Sequence, residues 1–561
     1  MNSPSPAIVA QAAVRRLPRL GLLLLCLAYL IPGFVGRQPW KGDDIASFGY
    51  MAELARGSSA WFSPTLLGRA SELHALLPYW LGACAIKLLP WLDPASAVRV
   101  PFALLLALSL LATWHAVYYL ARSPKAQPVA FAFGGEANPL DYARAIADGG
   151  LLALMACLGL AQLSHEATPA LMQLASLSLV FYGVASSMYR NLVPAIAMLL
   201  GLGGLVLSGT PVFAVALGLG CGALQGWQYR VAGERRLLLW SIAFVGASLF
   251  VAALGWALEL WQWRHMLAGT WLQWRGLLRL LIWFTWPAWP LALWTVWRWR
   301  HQLWGLQQAP HIAIPCWFAT MALVESLTTH SPDHSLLMSL PALAALVAFG
   351  LPTLKRSMAS LIDWFTLIFF TGCAFVIWVV WIAMQTGVPA QPAANVAKLA
   401  PGFVPSFSWF AFIVALLCTA CWFWLVHWRT GRHRAALWKS MVLPASGAAL
   451  CWLLLTSLWL PLLDYARSYS PMVYRVTALV SPGECIQTLG LTRSQVAALQ
   501  YHGQLQLVPS RGNPVCPWLM VEPLELSSHP VNFTQWQLQT SVRHPADRKE
   551  DLLLFRRIRR M

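Results

Sequence analysis

The stretch LGLLLLCLAYLIPGFVG (residues 20–36), followed at once by RQPWKGDDIASFGYMAELAR (37–56), sets the architecture of this chain. Three arginines between residues 15 and 19 precede the apolar run, and no small-x-small cleavage site follows it. We interpret the run as an uncleaved membrane helix that begins in the cytoplasm. In the second stretch, apolar positions from Ile45 to Ala55 recur at helical spacing. This predicts an amphipathic helix on the outer surface of the membrane.

Apolar runs of this kind recur along the whole chain. Of its 561 residues, 58% are hydrophobic and only 11% are charged, against roughly 25% charged residues in soluble domains. A soluble globular protein is therefore excluded. With the first run, thirteen stretches are candidates for crossing a hydrocarbon core of about 30 Å, and an odd number puts the C-terminus outside. The other twelve are 98–120, 149–163, 170–188, 192–208, 210–227, 237–258, 281–297, 312–325, 336–352, 364–386, 407–427 and 441–462.

The charge distribution orients these spans. The net charge of +18 is compatible with nucleic-acid binding, but in membrane proteins basic residues collect in cytoplasmic loops. The segments predicted on the side of residues 1–19 hold 18 Lys/Arg and 5 Asp/Glu. We therefore predict a multi-pass protein of the bacterial inner membrane with a cytoplasmic N-terminus, and we expect no nucleic-acid partner.

Two segments lie outside the spans. The apolar stretch 76–92 would reverse every later loop if it crossed, so we predict a helix lying in or dipping into the outer face, within a first periplasmic loop 37–97. After residue 462 hydropathy falls, and short β-like runs flank the helix-like TRSQVAALQ (492–500). The sequence thus predicts a transmembrane domain over 1–462 and a small periplasmic α/β domain over 463–561.

Cysteines and nucleotide motifs limit the chemistry. Of eleven cysteines, nine lie in or beside spans, and only Cys485 and Cys516 lie in the tail. In an oxidising periplasm these two fit either a disulfide or a pair of free thiols. The chain has no CxxC, HExxH, Gly-rich dinucleotide or P-loop motif in a useful context, and no visible repeats. Zinc-finger, Rossmann and ATP-driven chemistries therefore have no support.

Ionisable residues crowd onto the predicted outer face. The adjacent Asp43 and Asp44 fit a helix N-terminus, but two acids exceed what one cap needs, so a carboxylate base or metal ligand is the functional alternative. Each of the other residues also fits a solvated loop or an interfacial anchor. These are Glu72, His74, His165, Glu166, Arg264, Arg275, Arg279, His330 and His334.

The combination of acids with Arg and His on one face fits a phosphate-bearing lipid. Arginine and protonated histidine bind phosphate by charge-assisted hydrogen bonds, and a carboxylate can take a proton from an attacking hydroxyl. The sequence therefore predicts a site for an anionic lipid donor on the outer face.

A series of motifs in this order resembles the C-type (GT-C) glycosyltransferases, most closely the bacterial aminoarabinose transferases and the protein O-mannosyltransferases (glycosyltransferase family 39). They are GDDIASFGYMAELARG (42–57), LHALLPYWLGACAIKLL (73–89), AVRVPFALLLALSLLATW (97–114), LGGLVLSGTPVFAV (202–215), WFTWPAWPLALW (283–294) and SLTTHSPDHSLLMSLPALAALVA (326–348). The resemblance implies a GT-C fold of about thirteen transmembrane helices, with interfacial helices in the first periplasmic loop and a small C-terminal α/β domain.

The resemblance also implies roles. Asp43 or Asp44 falls at the catalytic acid, His74 at a residue that contacts the lipid phosphate, Arg99 at the arginine that opens the second span, and Glu166 at a second acid. One of Arg264, Arg275 and Arg279 would be a further phosphate ligand. The chain departs from the family pattern at Gly209 and Thr210, which replace Lys-Gly, and at His330 or His334, which stands near an expected Lys.

The implied reaction is transfer of a sugar from a polyprenyl phosphate to a periplasmic lipid A or lipopolysaccharide, another glycan or a protein, with inversion at the anomeric carbon. A divalent metal ion at Asp43, Asp44 and Glu166 is left open. Two alternatives stay open beside it. One is a transporter or flippase of a lipid-linked saccharide, which predicts ionisable residues within the bilayer, whereas most spans here are free of charge. The other is a non-catalytic scaffold.

Overall fold

The protein is a helical bundle with a small sheet domain. The computed structural model describes residues 5–261, 270–303, 309–329, 331–431, 436–481, 483–510, 515–526 and 533–558. The helices in these ranges are α1 (Arg19–Leu30), α2 (Asp43–Arg56), α3 (Leu77–Leu88), α4 (Pro94–Ala121), α5 (Pro139–Ala156), α6 (Leu158–Leu163), α7 (Pro169–Ser186), α8 (Leu192–Leu207), α9 (Pro211–Ala232), α10 (Arg235–Ala257), α11 (Trp271–Phe284), α12 (Ala288–Arg298), α13 (Arg300–Leu303), α14 (Pro310–Ser326), α15 (Pro332–Gly350), α16 (Arg356–Thr386), α17 (Ala390–Leu399), α18 (Trp409–Gly431), α19 (Lys439–Leu458), α20 (Leu460–Arg467), α21 (Ser470–Thr477) and α22 (Arg493–His502). The strands are β1 (Thr65–Leu66), β2 (Arg69–Ala70), β3 (Cys485–Leu489), β4 (Gln506–Pro509), β5 (Trp518–Val521), β6 (Trp536–His544) and β7 (Asp547–Arg557).

Every predicted apolar run coincides with helix. By length and composition, seven described helices can cross a membrane, and a bent pair makes an eighth. The chain is a multi-pass membrane protein, and the predicted total of thirteen spans stays a prediction. Burial differs sharply among the seven: 94% of the apolar stretch of α7 is buried, against 11% for α18. The bundle therefore has α7 at its centre and α18 on its outer, apolar surface.

Three of the predicted spans are divided: the run 441–462 divides at Trp459, between α19 and α20, and the other two breaks contact each other. The run 149–163 divides at Cys157, whose backbone is extended, into α5 and α6. The run 281–297 divides between α11 and α12, which meet at 87°. Pro287 lies at this second break and has no N–H to continue the helix. The backbone N–H of Leu158 donates to the carbonyl of Trp286 at 3.0 Å, so the two breaks pair with each other.

Contacts among the loops distinguish the two ends of the bundle. At one end, the Arg236 guanidinium donates to the Ser187 carbonyl at 2.9 Å, and the Trp438 indole donates to the Arg15 carbonyl at 2.7 Å. We call this end the opposite face. The other end carries α2, α3 and the α6–α7 loop, and we call it the site face.

The C-terminal domain is a five-stranded sheet with α22 packed beside it. The strand order is β4-β3-β5-β7-β6, in which β3 pairs in parallel with β4 and β5, and β7 pairs antiparallel with β5 and β6. A disulfide links Cys485 and Cys516, which answers the question left open by the sequence. The predicted boundary at residue 462 falls within α20.

This domain docks directly on the segment 37–97, which the sequence predicts as the first periplasmic loop. The rings of Phe48 in α2 and Tyr501 in α22 meet edge to face with centroids 4.6 Å apart, and the Tyr501 hydroxyl donates to Asp93 at 3.0 Å. Gly49 lets the two helices approach, because a Cβ at that position would lie 2.6 Å from the Cβ of Ala497. The domain therefore lies over the site face.

Candidate active site

The two adjacent acids at the start of α2 have different environments. Asp44 is only 3% exposed, and both of its carboxylate oxygens are engaged. Oδ1 accepts from the backbone N–H of Ala167 at 3.0 Å. Oδ2 accepts from the N–H of Trp40 at 3.0 Å and pairs with Nη2 of Arg37 at 3.0 Å. Asp44 thus ties the exit of the first helix to the α6–α7 loop.

A second arginine joins this buried group. Nη2 of Arg37 also donates to the carbonyl of His165 at 2.9 Å, and Nη1 of Arg99 donates to the carbonyl of Arg37. Within the described part of the chain, Nε of Arg37 and Nη2 of Arg99 have no hydrogen-bond partner. The cluster therefore places two guanidinium groups beneath α2, and the carboxylates of Asp44, Asp464 and Glu166 are all close enough to interact with them.

Asp43 is the accessible acid of the pair. Its side chain is 53% exposed, and Nδ1 of His334, at the start of α15, lies 3.5 Å from its Oδ2. Gly42 turns the chain with φ of +94° just before it, and Asp43 lies in the first turn of α2, where the helix dipole favours a carboxylate. A carboxylate in this position can take a proton from a bound hydroxyl, whereas Asp44 is buried and already engaged by two backbone N–H groups and Arg37.

The acid and the histidine of the α6–α7 loop point inward. Burial, with Asp44 nearby, raises the pKa of Glu166, whose Oε1 accepts from Nε2 of Gln162 at 3.0 Å. His165 is fully buried, with its ring nitrogens against the carbonyls of Tyr29 and Ala161. Burial lowers the pKa of His165 to about 4. His165 therefore packs the loops together and does not open onto the site.

Two residues after the last span join the site without having been predicted. Asp464 accepts from the indole of Trp40 at 2.8 Å, and the guanidinium of Arg467 lies 5.1 Å from the centre of a Trp40 ring. Burial lowers the pKa of Arg467, and the nearby Glu166 acts in the opposite direction. The only available signal was the polar sequence DYAR (464–467), which follows the last apolar run directly.

The remaining predicted residues lie farther out. His74 is exposed, with φ of +47°. Glu72 is 75% exposed and pairs with Arg493 of the C-terminal domain. Arg275 and Arg279 are exposed on α11, and the structure records no contact between them and Asp43. The predicted residues Arg264 and His330 lie outside the described residues.

The structure does not arrange Asp43, Asp44 and Glu166 as the metal ligands that the sequence left open. Among the described residues, no group of three His, Cys, Asp or Glu side chains is placed to hold a metal ion. Asp44 already uses both oxygens for Arg37 and two N–H groups. Asp43, Asp44 and Glu166 therefore do not fit a metal as a set of three.

Comparison with known proteins bears on the fold. No protein-family model matches the sequence, and no curated protein gives a significant sequence match. Among solved structures, ArnT from Cupriavidus metallidurans in the apo state superposes with a TM-score of 0.61 at 15% identity, over 96% of this chain and 97% of that one. The chain has the GT-C fold. The GT-C prediction is thus confirmed at the level of the fold.

The comparison also finds two further structures. ArnT from the same organism bound to undecaprenyl phosphate gives the same TM-score, identity and coverage as the apo form: 0.61, 15%, and 96% and 97% of the two chains. The oligosaccharyltransferase of Archaeoglobus fulgidus is more distant, with a TM-score of 0.45 at 10% identity over 90% of this chain and 69% of that one. The GT-C likeness to ArnT covers nearly all of both chains, so it includes the C-terminal domain.

Proposed function

We propose that this chain is an inner-membrane glycosyltransferase that moves a sugar from a polyprenyl-phosphate donor to a hydroxyl of a periplasmic glycan, lipid or protein. The N-terminus and the opposite face would then lie in the cytoplasm, with the site face and the C-terminal domain in the periplasm. The observation that carries the proposal is the contrast between Asp43, exposed beside His334, and Asp44, buried with Arg37.

The likeness to ArnT supports the choice of donor. One of the two ArnT structures was solved with undecaprenyl phosphate, and this chain shares that fold over 96% of its length. A polyprenyl-phosphate donor also needs no nucleotide site, and the sequence has no Gly-rich phosphate loop in a useful context.

Asp43 is proposed to act as the general base. As the acceptor oxygen attacks the anomeric carbon, its proton passes to Oδ of Asp43, the bond from that carbon to the donor phosphate breaks, and the anomeric configuration inverts. General base catalysis of this kind contributes about 10²–10⁴-fold to the rate. Asp44 would not touch the substrate, and its role is to fix the start of α2 through Arg37 and Ala167.

Cationic side chains are proposed to stabilise the phosphate that leaves. Charge builds on its oxygens as the glycosidic bond breaks, so preorganised donors there lower the barrier. Arg467 is a candidate for this role that the structure adds, since it lies over Trp40 and near Glu166. His74 and Arg99 remain proposals for the same role, as do Arg275 and Arg279 on α11.

The test is made first in cells and then with the purified protein. A deletion strain is expected to accumulate a polyprenyl-phosphate sugar and to contain a periplasmic acceptor that lacks one sugar. In proteoliposomes loaded with the accumulated lipid, the full chain should release polyprenyl phosphate only when acceptor is present, and the Asp43→Asn variant should not. Movement of the lipid across the bilayer without cleavage would indicate a flippase, and no change in the deletion strain's lipids would indicate a scaffold.

A further inference from the structure

A cavity on the opposite face has no part in the proposed reaction. Its volume is about 370 Å³, and it lies between the ends of α4, α7, α9 and α14. This size falls within the usual range for small-molecule pockets, about 300–1,000 Å³. Its walls are mostly apolar, with side chains from Leu120, Val184, Ala185, Met188, Val231 and Ile314.

The mouth of the cavity reaches the apolar surface of the bundle. Trp227 and Val231 line it, and each is also 43% exposed on the outer side of α9. Tryptophan is enriched where membrane proteins meet the lipid headgroups. The cavity is therefore reached from the bilayer, so we expect its occupant to be a membrane lipid.

Positive charge surrounds the polar end of this cavity. The segments 121–126 and 228–237 hold five basic residues and one acid, Glu234, which lines the cavity together with Lys125. Lys125 lines the cavity, and burial lowers the pKa of its ammonium group. The Arg122 guanidinium lies 4.6 Å from the ring centre of Tyr189, another lining residue. Such a rim attracts an anionic headgroup, with each basic residue near the membrane surface contributing about 1 kcal/mol.

The cavity wall also contains buried polar atoms without partners. Gln225 is 2% exposed, and its Nε2 donates to Oγ of Ser187 at 3.1 Å. Because the Ser187 hydroxyl gives its one proton to the carbonyl of Val184, it can only accept from Gln225, which fixes the orientation of the amide. Oε1 of Gln225 and Oγ of Ser123 then have no partner among the described residues. Both atoms can accept from a ligand hydroxyl.

From these features we infer that the cavity binds one anionic glycerophospholipid of the leaflet that surrounds the opposite face. An acyl chain would fill the apolar walls, the phosphate would lie by Lys125 and Arg122, and a headgroup hydroxyl such as that of phosphatidylglycerol would donate to Ser123 or Gln225. This site is independent of Asp43 and of the proposed transfer reaction, since it lies at the other end of the bundle.

Native mass spectrometry of the full chain, released from nanodiscs of equal phosphatidylglycerol and phosphatidylcholine, tests the inference. The wild-type protein should retain phosphatidylglycerol over phosphatidylcholine by at least about fivefold, the factor that one basic contact supplies. Lys125→Gln should lower this retention by about fivefold, and Val231→Trp should lower it by filling the mouth. No sugar donor is needed, so the result does not depend on the proposed function.

Each variant has a matched control. Lys355→Gln removes an exposed lysine from the same face, and Val212→Trp changes a valine with 40% exposure at the other end of α9. Both controls should retain phosphatidylglycerol as the wild type does. Equal retention of the two lipids, or equal losses in variants and controls, would overturn the inference. Displacement by soluble glycerol 3-phosphate would show that the site takes a free phosphate group and would also overturn it.

Discussion

Arg37 and Asp44 form an ion pair of 3.0 Å in which the two side chains are 1% and 3% exposed, while Asp43, the next residue, is 53% exposed. A buried pair of this kind strongly penalises the loss of one partner, because the other charge is left without compensation. The chain thus separates a structural acid from an accessible one within two consecutive residues, and the two can be distinguished by experiment.

Asp43→Asn is expected to lower sugar transfer by at least about 10²-fold, because an amide cannot take the acceptor's proton. The melting temperature should change little, since the side chain is 53% exposed and its pairing with His334 is long at 3.5 Å. Transfer is measured with purified protein and the accumulated lipid, and melting by circular dichroism in detergent. Transfer at the wild-type rate would remove Asp43 from the mechanism.

Asp44→Asn is expected to destabilise the protein by about 3–5 kcal/mol, the range for breaking a buried ion pair. Arg37 would keep its charge in a buried site but would lose the carboxylate that lies 3.0 Å from it. The measurement is thermal unfolding of Asp44→Asn, and Asp43→Asn serves as the matched control. Wild-type stability in Asp44→Asn, with transfer abolished, would instead assign the catalytic role to Asp44.

Asp464 is expected to make stability depend on pH. Burial raises its pKa to about 6 from the model-compound value of 3.8, so the folded state holds this proton more tightly than the unfolded chain does. Its contribution to the free energy of unfolding is therefore full below about pH 4 and is lost as pH rises through about 6. Asp464→Asn should flatten this change, while keeping an oxygen acceptor for the Trp40 indole.

Melting temperatures between pH 4 and 7 measure the effect of Asp464. Asp141→Asn, on the opposite face, is a suitable control because its carboxylate is 25% exposed and pairs with arginine. If the melting temperature depended on pH in the same way in Asp464→Asn and the wild type, the pH dependence would not come from Asp464.

Gly49→Ala is expected to weaken the docking of the C-terminal domain. The added methyl would lie 2.6 Å from Cβ of Ala497, so α2 and α22 must separate, at a cost of about 1–3 kcal/mol for overpacking. Gly246→Ala is the control, because nothing lies within 4 Å of a Cβ there. Limited proteolysis should release residues 463–561 faster from Gly49→Ala alone. Equal rates of release from both variants would show that the close approach of α2 and α22 at Gly49 does not hold the C-terminal domain in place.

The orientation is tested by reporter fusions. Alkaline phosphatase is active only in the periplasm, so a fusion after Tyr465 should be active and one after Lys355 inactive. This follows from the 18 basic and 5 acidic residues in the predicted cytoplasmic segments. The reverse pattern would invert the topology and place the site face in the cytoplasm.

The sequence predicts the helices well because hydropathy acts locally, but it does not predict where a helix breaks. Pro287 lies at the break between α11 and α12, whereas Pro101 and Pro341 lie inside continuous helices. A proline therefore marks a break only when neighbouring segments satisfy the freed backbone groups, as Leu158 does for Trp286.

The site was predictable in composition but not in arrangement. Asp43 and Asp44 are indistinguishable in sequence, and their difference depends on Ala167, which is 123 residues away from Asp44. Asp464 reaches Trp40 across 424 residues. Contacts of this range leave no periodic signal, so neither the separate roles of the acids nor the contribution of α20 could be read from the chain.

The paired breaks at Leu158 and Trp286 have a mechanical consequence. A continuous helix carries a tilt along its whole length, but a helix interrupted by a bend transmits little of it. Because α11 meets α12 at 87°, a tilt of α11 would not pass along a common helix axis into α12. The end of α12 is held against α15, where the Trp299 indole donates to the carbonyl of Phe349.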